Sequence, residues 1–91
     1  PHTQAETAID TDELLGRCLG KIEFMDRLLS RFVDASEKEL AEIELALEQQ
    51  NATELARVAH RLAGSALNVS AKSLASKTKE LEQLALQGDI A

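Results

Sequence analysis

Aromatic residues are almost missing from this 91-residue chain, which has two phenylalanines, no tryptophan and no tyrosine. With 44% hydrophobic residues but only 2% aromatic, any core must be built from Leu, Ala, Ile and Val. One proline and four glycines leave little turn punctuation. Sheets need frequent turns and favour aromatic and β-branched side chains, so this composition points to helices. A single cysteine, Cys18, rules out an intrachain disulfide and a thiol-rich metal site, and reads as filler in the first helix. No run approaches the roughly 18 apolar residues of a membrane span, so no membrane insertion is expected. No signal-peptide pattern opens the chain. Net charge is −6, which argues against nucleic-acid binding, since that demands a dominant basic face. The length suits one domain, near the size at which a core can just stabilise itself.

Periodicity and capping signals divide the chain. Residues 1–9 are polar and aperiodic and read as a flexible N-terminal segment; residues 10–91 read as one helical bundle domain. Asp10 and Glu13 form a capping-box pattern opening a short helix that Gly20 ends. A long amphipathic helix is expected from Lys21 to about Gln49, with a bend or break allowed at Asp34-Ala35-Ser36. Its apolar stripe is Ile22, Met25, Leu29, Phe32, Val33, Ser36, Leu40, Ile43 and Leu47. Asn51 and Glu54 open a third helix reaching about Asn68. Ser70 is expected to cap a last helix that buries Ala71, Leu74, Thr78, Leu81 and Ala85 and stops at Gly88. Connections this short make neighbouring helices antiparallel, giving an up-down bundle. Three long helices leave one groove of a four-helix bundle unfilled. Either the short first helix covers it, or a partner subunit does, or a fourth helix is removed or disordered.

Within the third helix, Leu55, Val58, Ala59, Leu62, Ala66 and Val69 share one apolar face and His60 falls well away from it. The helical neighbours of His60 are small: Ala56 one turn before, Ala63 and Gly64 one turn after. A mid-helix glycine costs about 1 kcal/mol relative to alanine. Space beside an exposed imidazole gives Gly64 a reason, and an uncrowded neutral imidazole is a suitable phosphoryl acceptor. Charge is partitioned around it. From Asp34 to Glu54 there are seven acids against Lys38 alone, whereas from Leu55 to Lys79 there are five bases and no acid. Such a field favours an anion on His60 and an acidic partner surface around it.

The segment Ala59-His60-Arg61-Leu62-Ala63-Gly64-Ser65-Ala66 resembles the motif of histidine-containing phosphotransfer (HPt) domains, in which the histidine carries the phosphoryl group. Val69, Ala71, Leu74 and the Leu81-Glu82 pair extend the resemblance downstream; Phe32, Leu40 and Asn51-Ala52-Thr53 extend it upstream. Three features depart from the family pattern. Position 63 holds alanine where lysine is usual, position 70 holds serine where glycine is usual, and the chain stops at Ala91, before the family's fourth long helix.

The resemblance implies an all-α, up-down antiparallel bundle of HPt type and a phosphorelay role in a two-component system. His60 would accept a phosphoryl group from a phospho-aspartate receiver domain and pass it to another receiver. Glu82 falls where related domains place a Glu or Gln near the histidine, and would orient the imidazole through Nδ1, leaving Nε2 to attack. Arg57, Arg61, Lys77 and Lys79 are candidate phosphate or receiver contacts, and Ala56, Ala63, Gly64 and Leu67 a docking surface. With no Gly-rich phosphate loop and no carboxylate cluster, the chain is expected to hold no metal, cofactor or ATP site of its own. Mg²⁺ would belong to the partner receiver. The resemblance implies response-regulator receivers, with a sensor histidine kinase as a further candidate, as partners and a cytoplasmic compartment, and it leaves the oligomeric state open. Two alternatives remain: a non-relaying interaction module, or the phospho-accepting fragment of a larger hybrid or chemotaxis-type kinase.

Overall fold

A computed structural model describes residues 9–88. Residues 1–8, with His2, and residues 89–91 lie outside the described residues, so most of the segment read as flexible falls outside them. Ile9, at its end, is partly buried against the core. Four helices follow in order: α1 Thr11–Arg17, α2 Ile22–Glu48, α3 Ala52–Asn68 and α4 Lys72–Leu86. Among the described residues there is no strand, and the architecture is the expected all-α bundle.

The helix starts follow the capping signals. The Asp10 carboxylate accepts the Glu13 N–H at 3.0 Å and the Asn51 side chain accepts the Glu54 N–H at 3.1 Å. The helix ends follow a device the sequence hides. At each of α1, α2 and α3 a non-glycine residue turns left-handed: Leu19 at φ 59°, Gln50 at φ 53° and Ser70 at φ 58°. The next residue then donates back to the last turn, Gly20 to Leu15 O at 2.8 Å, Asn51 to Ala46 O at 2.9 Å and Ala71 to Ala66 O at 2.8 Å. Each end reverses the chain within a few residues. Ser70 therefore closes α3 and does not cap α4, whose N-cap is Ala71 with no side-chain bond. The Ser70 hydroxyl instead accepts Arg17 Nη1 at 3.1 Å, and that same Nη1 donates to the Leu67 carbonyl at 3.0 Å. These bonds tie α1 to the turn end of the α3–α4 hairpin.

α2 runs unbroken through Asp34-Ala35-Ser36, with the Ser36 hydroxyl donating to the Val33 carbonyl at 3.0 Å. Its buried seam differs from the expected stripe. Ile43 and Ala46 are buried and Phe32, Met25, Leu28 and Leu29 pack against the core, but Ile22, Val33, Leu40 and Leu47 are 59, 49, 51 and 42% exposed. α2 lies chiefly against α3, and one neighbour covers only one narrow seam. Glu39 falls inside that seam and is buried. α1 sends Leu14 and Cys18 into a cluster with Ala66, Val69, Ala71 and Ala75. It thus caps one end of the bundle and does not cover the exposed stripe of α2, which removes the first of the three ways the groove was expected to be filled.

Candidate functional site

α3 is the central helix, packed on α4 along one flank and α2 along the other. Its inner face is sealed, with Leu55, Val58, Ala59, Leu62 and Ala66 all at 0% exposure. Burial at that density fixes the rotation of the helix and hence where its outer face points. His60 lies on that outer face with its side chain 67% exposed.

Around the imidazole the four expected docking residues divide. Gly64 and Leu67 are exposed, Leu67 at 50%. Ala56 and Ala63 are buried at 6 and 2%, so neither forms part of a surface. Ala56 joins a core cluster with Ala85 of α4. The small side chains that suggested open room beside His60 instead let α4 approach that flank closely. Gly64 is different. A Cβ built there meets no atom within 4 Å, so nothing in the protein's own packing requires glycine at this position.

α4 runs antiparallel to α3 and brings Glu82 to the ring. Glu82 Oε2 lies 3.0 Å from His60 Nδ1 across 22 residues of sequence. The carboxylate is well shielded, its side chain 14% exposed, whereas the ring it touches is open. A carboxylate oxygen accepts, so Nδ1 is the donor in this contact. Nε2 has no hydrogen-bond partner among the described residues. The other oxygen, Glu82 Oε1, is buried without a hydrogen bond, and Lys79 Nζ is its nearest cation at 3.8 Å.

The cations that crowd this stretch of sequence are mostly engaged. Arg57 holds Glu54 through two bonds of 3.0 and 2.6 Å, which keeps the Glu54 carboxyl below the usual range and raises the guanidinium. Arg61 reaches back to α2, donating Nε to Glu39 Oε2 at 2.8 Å and Nη2 to Glu42 Oε1, and the two carboxylates raise its pKa further. The cationic field expected around His60 is therefore much reduced. The acids of α2 are separated from the bases of α3 in sequence and lie beside them in space. Lys77 sits about 140° around α4 from Glu82 by helical geometry, turned from the histidine. Sequence reading missed Glu39 and Glu42; their i, i+3 spacing on α2 is the only signal that marks them as a pair facing one partner.

Among the described residues no three His, Cys, Asp or Glu side chains are grouped to hold a metal ion, and no helix is long and apolar enough to cross a membrane. The fold and site define a class: a small helical bundle presenting one open histidine, braced at Nδ1 by a carboxylate from the adjacent helix. The family model of the Hpt domain matches residues 27–91, more than half of the chain, and the chain belongs to that family. Family membership brings histidine phosphotransfer in two-component signalling and interaction with receiver domains or kinases. Comparison with curated proteins and with solved structures finds no match.

Proposed function

We propose that this chain is a phosphorelay carrier in which His60 Nε2 accepts a phosphoryl group from the aspartyl phosphate of one receiver domain and delivers it to another. The observation that carries this reading is the 3.0 Å contact between Nδ1 and Glu82 on a ring that is 67% exposed. An unprotonated imidazole nitrogen is itself a nucleophile, so the acceptor needs no activating base. With its proton on Nδ1, the ring offers the Nε2 lone pair to phosphorus. As the N–P bond forms, the P–O bond to the aspartate breaks, and its electron pair leaves with the receiver's carboxylate. No proton has to depart. The ring becomes a phospho-imidazolium whose positive charge lies against the Glu82 carboxylate, and the reverse sequence discharges it to the next receiver.

Such a transfer runs on positioning and charge neutralisation. The receiver would bring the Mg²⁺ site and the phospho-aspartate. This chain brings a rigid helix face, with Gly64 leaving room for the incoming aspartate and Leu67 offering apolar contact. Arg57 and Arg61 border that face as ion pairs with Glu54, Glu39 and Glu42, so they offer a receiver polar contacts at the rim rather than a net cationic field. A relay of this kind works in the cytoplasm.

Transfer of labelled phosphate from a panel of phosphorylated receiver domains to the wild type and to His60→Gln tests the reading. Acid-labile label on the wild type alone is the expected result. Receiver binding that persists in both proteins without label would favour a non-relaying module. Label only from a separate ATP-binding domain would make this the acceptor piece of a kinase.

A further inference from the structure

The structure assigns to Lys79 of α4 the task of neutralising the phosphoryl group on His60, in place of a cation on the histidine's own helix. This inference rests on the reading of His60 as the acceptor. A phosphoryl group brings about −1.5 to −2 charges to a ring that already faces a carboxylate, so an uncommitted cation beside it matters. α3 does not supply one. Position 63, one turn after His60, is a buried alanine; Arg57 is bonded twice to Glu54, and Arg61 is bonded to Glu39 and Glu42. Lys77 lies on another face of α4.

Lys79 differs from all of these. Because α3 and α4 are antiparallel and His60 meets Glu82, one turn back along α4 lies beside one turn forward along α3. Lys79 therefore flanks the Ala63–Gly64 turn. Its ammonium lies 3.8 Å from Glu82 Oε1, beyond hydrogen-bond distance, while Glu82 Oε2 is the oxygen on His60. The side chain is 55% exposed and donates no hydrogen bond among the described residues. The loose pair leaves the ammonium close to the acceptor and free to turn from Glu82 towards an arriving phosphoryl oxygen.

Phosphoramidate, which phosphorylates imidazoles directly, is the probe, so the test does not depend on finding a cognate receiver. Uptake and the pH titration of the phosphohistidine ³¹P resonance are followed in wild type, Lys79→Met, Lys79→Arg and Lys79→Glu, with helical CD as the folding control. Lys79→Met should slow uptake roughly threefold to tenfold and raise the phosphoryl titration midpoint by roughly half a pH unit. Lys79→Arg should restore both, and Lys79→Glu should exceed Lys79→Met in both. Identical rates and midpoints in all four proteins would overturn the assignment and leave the acceptor reading intact. No phosphohistidine on the wild type would overturn both.

Discussion

The two faces of α3 obey different rules. On the inner face every side chain is explained by packing, because Leu55, Val58, Leu62 and Ala66 are sealed from solvent and touch neighbouring helices. On the outer face packing explains little. A glycine stands mid-helix where a Cβ would meet nothing, a leucine lies half exposed, and a histidine projects into solvent while being held at Nδ1. The inner face is what makes the outer face usable, since a helix free to rotate could not keep a ring against Glu82. Residues that break local preference without a structural return are where function is to be sought.

Substitutions on the two faces of α3 should have opposite consequences. Leu62→Ala should cost about 2–5 kcal/mol in chemical denaturation, because a fully buried side chain leaves a cavity. His60→Gln should leave the unfolding free energy unchanged within about 0.5 kcal/mol, as surface changes do, and abolish phosphate uptake. Equal destabilisation by both would mean that the outer face is structural after all.

Gly64 sharpens the same contrast. Gly64→Leu should fold normally and lose most transfer from receivers, measured by label uptake. Gly64→Ala should raise stability by up to about 1 kcal/mol, because alanine is the better helix former and the site is open. Transfer that survives in Gly64→Leu would remove the steric argument for glycine. At Glu82, replacement by alanine should slow uptake by roughly tenfold, an effect of one positioning contact of about 1.4 kcal/mol. Glu82→Gln, which still offers an accepting oxygen, should fall between. The smallest effect concerns α1. Lys72 beside Glu13, with help from the Ser70 hydroxyl, holds the Glu13 carboxyl below its usual value. A carboxyl depressed in the folded state stabilises above its unfolded pKa of about 4.3 and loses that contribution as pH falls through the folded value. Thermal midpoints between pH 5 and 3 should fall less in Glu13→Gln than in the wild type.

Charge gives a second contrast, between sequence and space. The run from Leu55 to Lys79 reads as cationic because it contains no acid. In the folded chain Arg61 is clasped by Glu39 and Glu42 of α2, and the bases and acids that sequence separates become ion pairs. The same limit appears in the core. Val33, Leu40 and Leu47 belong to a regular apolar stripe on α2, yet they remain exposed because no described helix lies against them. The residue type of Ser70 suggests a helix cap, but its left-handed backbone and its bond from Arg17 make it the closing turn of α3.

The features legible from residue order alone are local and periodic. The helical class, the caps at Asp10 and Asn51, the inner face of α3 and the outward placement of His60 all follow from spacing at about 3.6 residues per turn and from side chains acting within a few residues. Packing settled what involves partners distant in the chain: which stripe of α2 is covered, that Ala56 and Ala63 are buried, and that Arg61 is occupied. The 3.0 Å contact of Glu82 and the 3.8 Å approach of Lys79 to its other oxygen belong with these. Periodicity says which face of a helix is apolar. The neighbour against which that face rests, and the charges it meets there, depend on how whole helices pack.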